Sequence, residues 1–211
     1  MKVIEQSYEI LTDISYKAIY ELEEIEKIAR TCYKSEDKYQ DQAESAKKLI
    51  RALISKDHEA MLEHSMLTVK FICDRSTSHE LVRHRMASFA QESQRYCNYA
   101  KDKFGSEITF IRPCYLNDDT RPYAIWRKAM KEAENAYFDL LDIGLMPQEA
   151  RAVLPNSTKT EVVVSANYRE WRHILRLRTA MDAHPQIRLL MRQLLADLQT
   201  RIPVIFDDIK Y

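Results

Sequence analysis

Between Arg83 and Tyr96 the chain reads R-H-R-M-A-S-F-A-Q-E-S-Q-R-Y. Three basic side chains stand in a row, Arg83-His84-Arg85, and Ser93, Arg95 and Tyr96 follow after a short interval. Fixed positive charge leading into small hydroxyls, an amide and a further arginine suits an anionic ligand that also makes hydrogen bonds. Arginine grips phosphate through two parallel N–H bonds and does not lose its charge, so it is the natural residue for that work. A second concentration lies at Arg169, Arg172, Arg176 and Arg178, with Asn167 and His173 among them. Arg172 and Arg176 are one helical turn apart, where like charges repel unless something anionic sits nearby. Each cluster alone also reads as a solvated charged helix. Two in one neutral chain favour a shared anionic ligand.

The attraction must be local. The chain has 211 residues, with 32 basic side chains balanced by 32 acidic ones, so no global field draws it to nucleic acid or membrane. A hydrophobic fraction of 45% and a charged fraction of 30% are those of an ordinary globular protein, long enough to bury a core. Only Gly105 and Gly144 occur, so neither a P-loop nor a G-x-G-x-x-G turn can be written, and any nucleotide or flavin must be held by side chains. Cys32, Cys73, Cys97 and Cys114 are widely spaced, which fits reduced thiols in a cytoplasmic protein. Met1-Lys2-Val3-Ile4-Glu5 lacks the apolar stretch of a signal peptide, and no run reaches membrane-spanning length.

Stepping through the chain, residues 3–11 predict a first strand, and helices are expected from about Tyr16 to Cys32 and around Ala46–Ile54. Lys34–Asp41 reads as a loop. His58-Glu59 and Glu63-His64 invite a metal reading, but their spacing is not H-E-x-x-H and no metal site is expected. Leu67, Val69, Phe71 and Cys73 alternate with Met66, Thr68, Lys70 and Ile72, a strand pattern. Thr77-Ser78-His79-Glu80 fits a capping box, with Thr77 as cap of a helix running through Arg83-His84-Arg85. Cys97–Ser106 reads as a loop and Glu107–Pro113 as a short strand. The clearest helix spans 121–143, with Pro122 near its start, Gly144 just past its end, and Ile125, Ala129, Ala133, Ala136, Tyr137, Leu140 and Leu141 at its period. A short helix from Pro147 to Arg151, a strand over Thr158–Ser165, a helix over Trp171–Leu177 and a final helix from Pro185, ended by Pro203, complete the chain. No linker divides it.

Arg83-His84-Arg85, seven residues and then Ser93 resemble the signature of the flavin-dependent thymidylate synthases. The flanks agree. His58-Glu59 with Glu63-His64 resembles the segment before that motif, and Glu149–Pro155 resembles the family's E-x-A-R-x-x-L-P stretch. Asn167-Tyr168-Arg169, Leu175–Arg178 and Ala183–Gln186 resemble its C-terminal segments, so the likeness covers most of residues 50–195 in order.

The resemblance implies a single α+β domain over residues 1–211, a central mixed sheet flanked by helices, assembled as a homotetramer with sites at subunit interfaces. It implies conversion of dUMP to dTMP, with the carbon from 5,10-methylenetetrahydrofolate and hydride from FAD reduced by NADPH, without an enzyme cysteine nucleophile. By position, Arg83, His84, Arg85, Gln91, Asn167, Arg169 and His173 would bind FAD. Glu80, Arg83, Gln91, Glu92, Ser93, Gln94, Arg95 and Arg151 would bind dUMP. Arg178 would act as the catalytic residue, a cation against the uracil ring that favours the ionised N3. The chain departs from the family's commonest form at three places. Ala90-Gln91 replaces Asn-Glu, which leaves open whether Gln91 or Glu92 makes the usual glutamate contact; Ala60 replaces a hydroxyl, and His173 an asparagine. The competing readings are a nucleic-acid-binding module using the arginine clusters and a metal-dependent nucleotide hydrolase. Neutral charge opposes the first, and the histidine spacing opposes the second.

Overall fold

A computed structural model describes residues 1–39, 43–99 and 105–211. It divides into two compact units: Met1–Tyr8, Lys70–Arg83 and Phe89–Val163 form the first, and Glu9–Val69, His84–Ser88 and Val164–Tyr211 the second. The architecture is mixed α+β. Rather than one central sheet, the described strands form a pair and a four-stranded sheet. The pair is β1 (Lys2–Ile4) with β5 (Thr109–Ile111), parallel, Val3 opposite Phe110. The larger sheet comprises β2 (Ser7–Ile10), β3 (Met66–Asp74), β6 (Lys159–Asn167) and β4 (Ser88–Gln91), in that order.

Residues 3–11 are therefore two strands in two sheets. Alternation marks extended backbone but not its partner, and the partner changes at Glu5-Gln6: Arg112 N–H donates to Ile4 O at 2.9 Å, whereas Leu11 N–H donates to Thr68 O at 2.9 Å. The long strands follow their pattern, with Leu67, Val69, Phe71 and Cys73 all fully buried on one face of β3.

In the first unit, α3 (Arg75–Leu81) follows β3 without a loop. Its cap is Asp74, whose carboxylate accepts from Thr77 N–H at 2.6 Å; Thr77 is not the cap. Both residues are cap formers, and the one at the end of the strand has the extended backbone that a cap needs. The helix stops at Leu81, so Arg83-His84-Arg85 lies in a turn leading to β4, and not on a helix as the pattern predicted. That turn re-aims the chain so that β4 can pair beside β6. Farther on, α4 (Arg121–Asp142) is capped by Thr120 and closed at Gly144, whose φ of +98° is in the region where a side chain would be strained. Its buried face is Met130, Glu134 and Tyr137, with Leu140 and Leu141 partly buried against the same core, while Ile125 and Ala129 are exposed, so the 3.6-residue period holds and its phase differs only in the N-terminal half. Buried Glu134 fixes that phase by accepting from Ile108 N–H at 2.9 Å. The short α5 (Pro147–Ala150) runs into a 3-10 turn, Arg151–Val153.

The second unit is helical. It contains α1 (Ile14–Tyr33), α2 (Ala43–Ile54), a 3-10 turn at Ala60–His64, α6 (Tyr168–Thr179), α7 (Pro185–Arg201) and α8 (Pro203–Phe206). Ile187, Leu190, Met191, Leu194, Leu195 and Leu198 of α7 are all fully buried, as their spacing predicted. Pro203 ends α7 but also opens α8, whose Ile205 and Phe206 join the core, so α7 is not the last helix. A truncation such as Leu194→Ala should cost about 2–5 kcal/mol, the usual range for a buried leucine. No helix among the described residues is long and apolar enough to cross a membrane.

Candidate functional site

The end of β6 and the start of α6 organise one side of the site. Asn167 closes the strand and caps the helix, its Oδ1 accepting from Glu170 N–H at 2.8 Å. The capped helix then sets out Arg169, Glu170, His173, Arg176 and Arg178 in order. Below its first two turns lies a cavity of about 460 Å³ lined by Glu59, Glu63, Met86, Asn167, Arg169, Glu170, His173 and Arg176. Thus Asn167, Arg169 and His173, three of the residues assigned to FAD, face one space. Three carboxylates share that lining with two guanidinium groups, so it is not a bare cationic grip.

His84 is buried beside this helix, 5% exposed, and packs edge-on against His173 with ring centroids 5.8 Å apart. Arg178 donates through Nε to His84 Nε2 at 3.0 Å. Burial pushes the His84 imidazolium down to about 4, with the charges of Arg178 and His173 acting in the same direction, so the ring is neutral near pH 7. Glu170 Oε1 lies 3.7 Å from the other ring nitrogen, Nδ1. Burial pushes the Glu170 carboxyl up, opposed by His173.

The remaining arginines of α6 are differently disposed. Arg172 is fully buried, donating to Glu59 at 3.0 Å and in bidentate fashion to Asp208 at 2.6 and 2.7 Å, and also to the Ile205 carbonyl. Arg176 joins the same two carboxylates at 3.2 and 3.5 Å. The anion demanded by that like-charged pair is thus the protein's own. Burial alone would raise the Asp208 carboxyl, but the hydrogen bonds and charge of Arg172 outweigh it and hold Asp208 below its usual range. Arg169, half out in solvent, pairs with Glu63.

The first unit holds the other assigned residues. Gln91, at the end of β4, donates through Nε2 to Ser78 Oγ at 2.9 Å and Thr160 Oγ1 at 3.2 Å. Ser78 spends its one hydroxyl proton on Arg75 O at 2.9 Å, so it must accept from Gln91, and the amide nitrogen faces it. Glu92 has both carboxylate oxygens engaged, one by Lys159 Nζ at 3.0 Å and one by Tyr99 O–H at 3.3 Å. The chain then turns: the Ser93 carbonyl accepts from Tyr96 and Cys97 N–H at 3.2 and 3.0 Å, and Ser93 Oγ accepts from Arg95 N–H at 3.3 Å. Gln94 has a buried Nε2 with no partner among the described residues, and the Arg95 guanidinium lies 5.4 Å from the Tyr96 ring centre. Glu80 lies in the last turn of α3, Arg83 and Arg85 are exposed with no side-chain hydrogen bond or ion pair to the described residues, and Arg151 donates from its 3-10 turn to Gln148 O at 3.2 Å.

Within the second unit the structure therefore joins His84 to Arg178 and His173, and Asn167, Arg169 and His173 around one cavity. Within the first it joins Gln91 and Glu92 to their own framework beside the Ser93 turn; among the described residues no side-chain hydrogen bond or ion pair ties Arg83 or Arg151 to that turn. Sequence reasoning passed over Glu170 and the cavity roles of Glu59, Glu63 and Met86. Glu170 left one readable trace, as the acidic residue three places after the helix cap Asn167. Among the described residues, no three histidine, cysteine, aspartate or glutamate side chains gather as a metal ion would need.

A family model described as thymidylate synthase complementing protein matches residues 18–204. Flavin-dependent thymidylate synthases from Corynebacterium aurimucosum and Corynebacterium glutamicum are each 34% identical over 200 residues, 87% of this chain and 78% of theirs. The crystal structure of a UMP/dUMP methylase, PolB from Streptomyces cacaoi, bound with 5-Br dUMP, is similar with a TM-score of 0.76 and 25% identity, covering 98% of this chain and 96% of that one.

Proposed function

The chain belongs to the flavin-dependent thymidylate synthase family, and from that premise we propose that it is a methyltransferase converting dUMP to dTMP. In this reading 5,10-methylenetetrahydrofolate provides the carbon, FAD is the cofactor and NADPH its reductant. Residues 1–211 act as one functional domain of a cytoplasmic homotetramer.

The observation that carries the reading is the pairing of half-buried Arg178 with buried His84. Uracil C5 is a poor nucleophile, and without a thiolate at C6 the ring must be activated electrostatically. In this pair the guanidinium is oriented by a neutral imidazole, and His84 accepts from it without neutralising it. A carboxylate in that place would cancel the charge, as Glu59 and Asp208 do for Arg172. The cysteines fit a route without a thiolate: none lines the cavity, and burial pushes the Cys73 thiol far up.

The residues present suit FAD. A cavity of about 460 Å³ is within the usual range for small-molecule sites, about 300–1,000 Å³. Asn167 keeps its amide N–H groups to offer once its oxygen caps α6, and Arg169 meets a cofactor phosphate by exchanging Glu63 for it. When bound, reduced FAD supplies the hydride. Arg83 and Arg85, exposed and unpaired by the described residues, add charge beside His84. For dUMP, Ser93, Gln94, Arg95 and Arg151 hold the nucleotide with Glu80 and Arg83. Glu92 is already engaged by Lys159 and Tyr99, so Gln91 is the better heir to the family glutamate's contact, and Glu92 fixes the turn that presents Ser93. With sites at subunit interfaces, the two sets of residues can serve different active sites.

The purified protein, mixed with FAD and freed of excess, should be yellow with flavin near one per chain, and dUMP should perturb the flavin spectrum. A protein that takes up no FAD under any of these conditions would overturn the reading.

A further inference from the structure

We infer that Glu170 is a positioning residue: its carboxylate, 3.7 Å from His84 Nδ1, favours a hydrogen on that nitrogen through its charge, and so favours the tautomer whose Nε2 accepts from Arg178. For its catalytic consequence this rests on the role given to Arg178 above; its chemical part does not.

A guanidinium has donors only. The nitrogen 3.0 Å from Arg178 Nε must therefore present a lone pair, and that nitrogen is His84 Nε2. The ring is buried and neutral, so its single hydrogen sits on Nδ1. Glu170 Oε1, at 3.7 Å, is the carboxylate oxygen that faces this N–H, and the Glu170 side chain is itself only 12% exposed. The opposite tautomer would set Nε2–H against Arg178 Nε–H, two donors head to head, and one of the two side chains would have to turn away. A negative charge beside Nδ1 selects against it.

The placement of Glu170 is firm for a local reason. Its backbone N–H is held by Asn167 Oδ1 at 2.8 Å in the first turn of α6, where the exposed amide ends favour a carboxylate. The cap, the carboxylate, the imidazole and the guanidinium thus form one line from the end of β6 to Arg178. A residue that acts through His84 in this way moves the rate without touching substrate, as an orienting carboxylate does in other histidine-centred sites.

The test labels the full-length protein with ¹⁵N-histidine and reads His84 by long-range proton–nitrogen correlation at pH 7.5, the signal being assigned by its loss in His84→Asn. In the wild type Nδ1 should carry the hydrogen. Glu170→Ala should shift His84 toward the Nε2–H form and lower kcat for dTMP, measured with saturating FAD, by about tenfold, the scale of one lost charge interaction in a partly buried site. Glu170→Gln, which keeps a carbonyl dipole beside Nδ1 without the charge, should restore part of the tautomer and of the rate. A wild-type ring protonated on Nε2 overturns the inference, and that reading needs no variant to fold. So does an unchanged tautomer in Glu170→Ala. Because the tautomer is read without substrate, its failure is distinct from a failure of thymidylate chemistry.

Discussion

Two stretches of α6 treat arginine in opposite ways. At its middle, Arg172 and Arg176 are met by Glu59 and Asp208, and their charge is consumed inside the protein. At its end, Arg178 donates to a neutral, buried histidine, which accepts from it without adding a counter-charge. The residue type is the same and the helix is the same. What differs is that two carboxylates meet Arg172 and Arg176, while Arg178 donates to a neutral imidazole.

Exchanging the two kinds of arginine gives the largest expected effect. Arg178→Ala should lower dTMP formation by about 10²–10³-fold, the scale for removing one preorganised charge or donor from a transition state, while flavin stays bound. Arg176→Ala, in the same rate assay, should lose far less. Next comes the carboxylate side. Glu59→Ala strips one of the carboxylates from fully buried Arg172 and should cost about 3 kcal/mol in chemical denaturation, since removing one partner of a buried pair strands the other. Retained stability there would erase the distinction between the two stretches.

The imidazole side has its own signature in pH. His84 titrates at about 4 in the folded chain against 6.5 for an unperturbed histidine. Across that window the unfolded state binds a proton that the folded state does not, so stability is full above 6.5 and falls as pH drops toward 4. The contribution is about 3 kcal/mol from the size of the shift, and His84→Asn should flatten that part of a stability–pH profile relative to wild type. Smallest is the Ser93 hydroxyl. Ser93→Ala should weaken dUMP binding by about tenfold, one hydrogen bond to a charged group, with little change in flavin reduction; titration of dUMP into both proteins decides it.

Much of this was legible in the residues. Local spacing foresaw α1, α2, α4, α7, β3 and β6, because each buries a face within its own period. The assigned residues Asn167, Arg169 and His173 do meet at one cavity. What spacing could not reveal were partners far apart in the chain. Arg172 is 113 residues from Glu59, and Arg178 is 94 from His84, so nothing local says which arginine meets a carboxylate and which an imidazole. The same blindness explains the strand divided at Glu5-Gln6 and the cap at Asp74 in place of Thr77, since both depend on where a neighbouring strand ends. It also explains Glu170, which reads as surface charge until His84 is seen beside it.

The central claim is that Arg178, backed by neutral His84, activates uracil in a flavin-dependent synthesis of dTMP. The most direct measurement is dTMP formed by the purified protein from dUMP, 5,10-methylenetetrahydrofolate, FAD and NADPH, with each component left out in turn. The account predicts product only when all four are present, at one NADPH oxidised per dTMP. No dTMP from the complete mixture, or undiminished dTMP when the flavin-stripped protein is given no FAD, would contradict it.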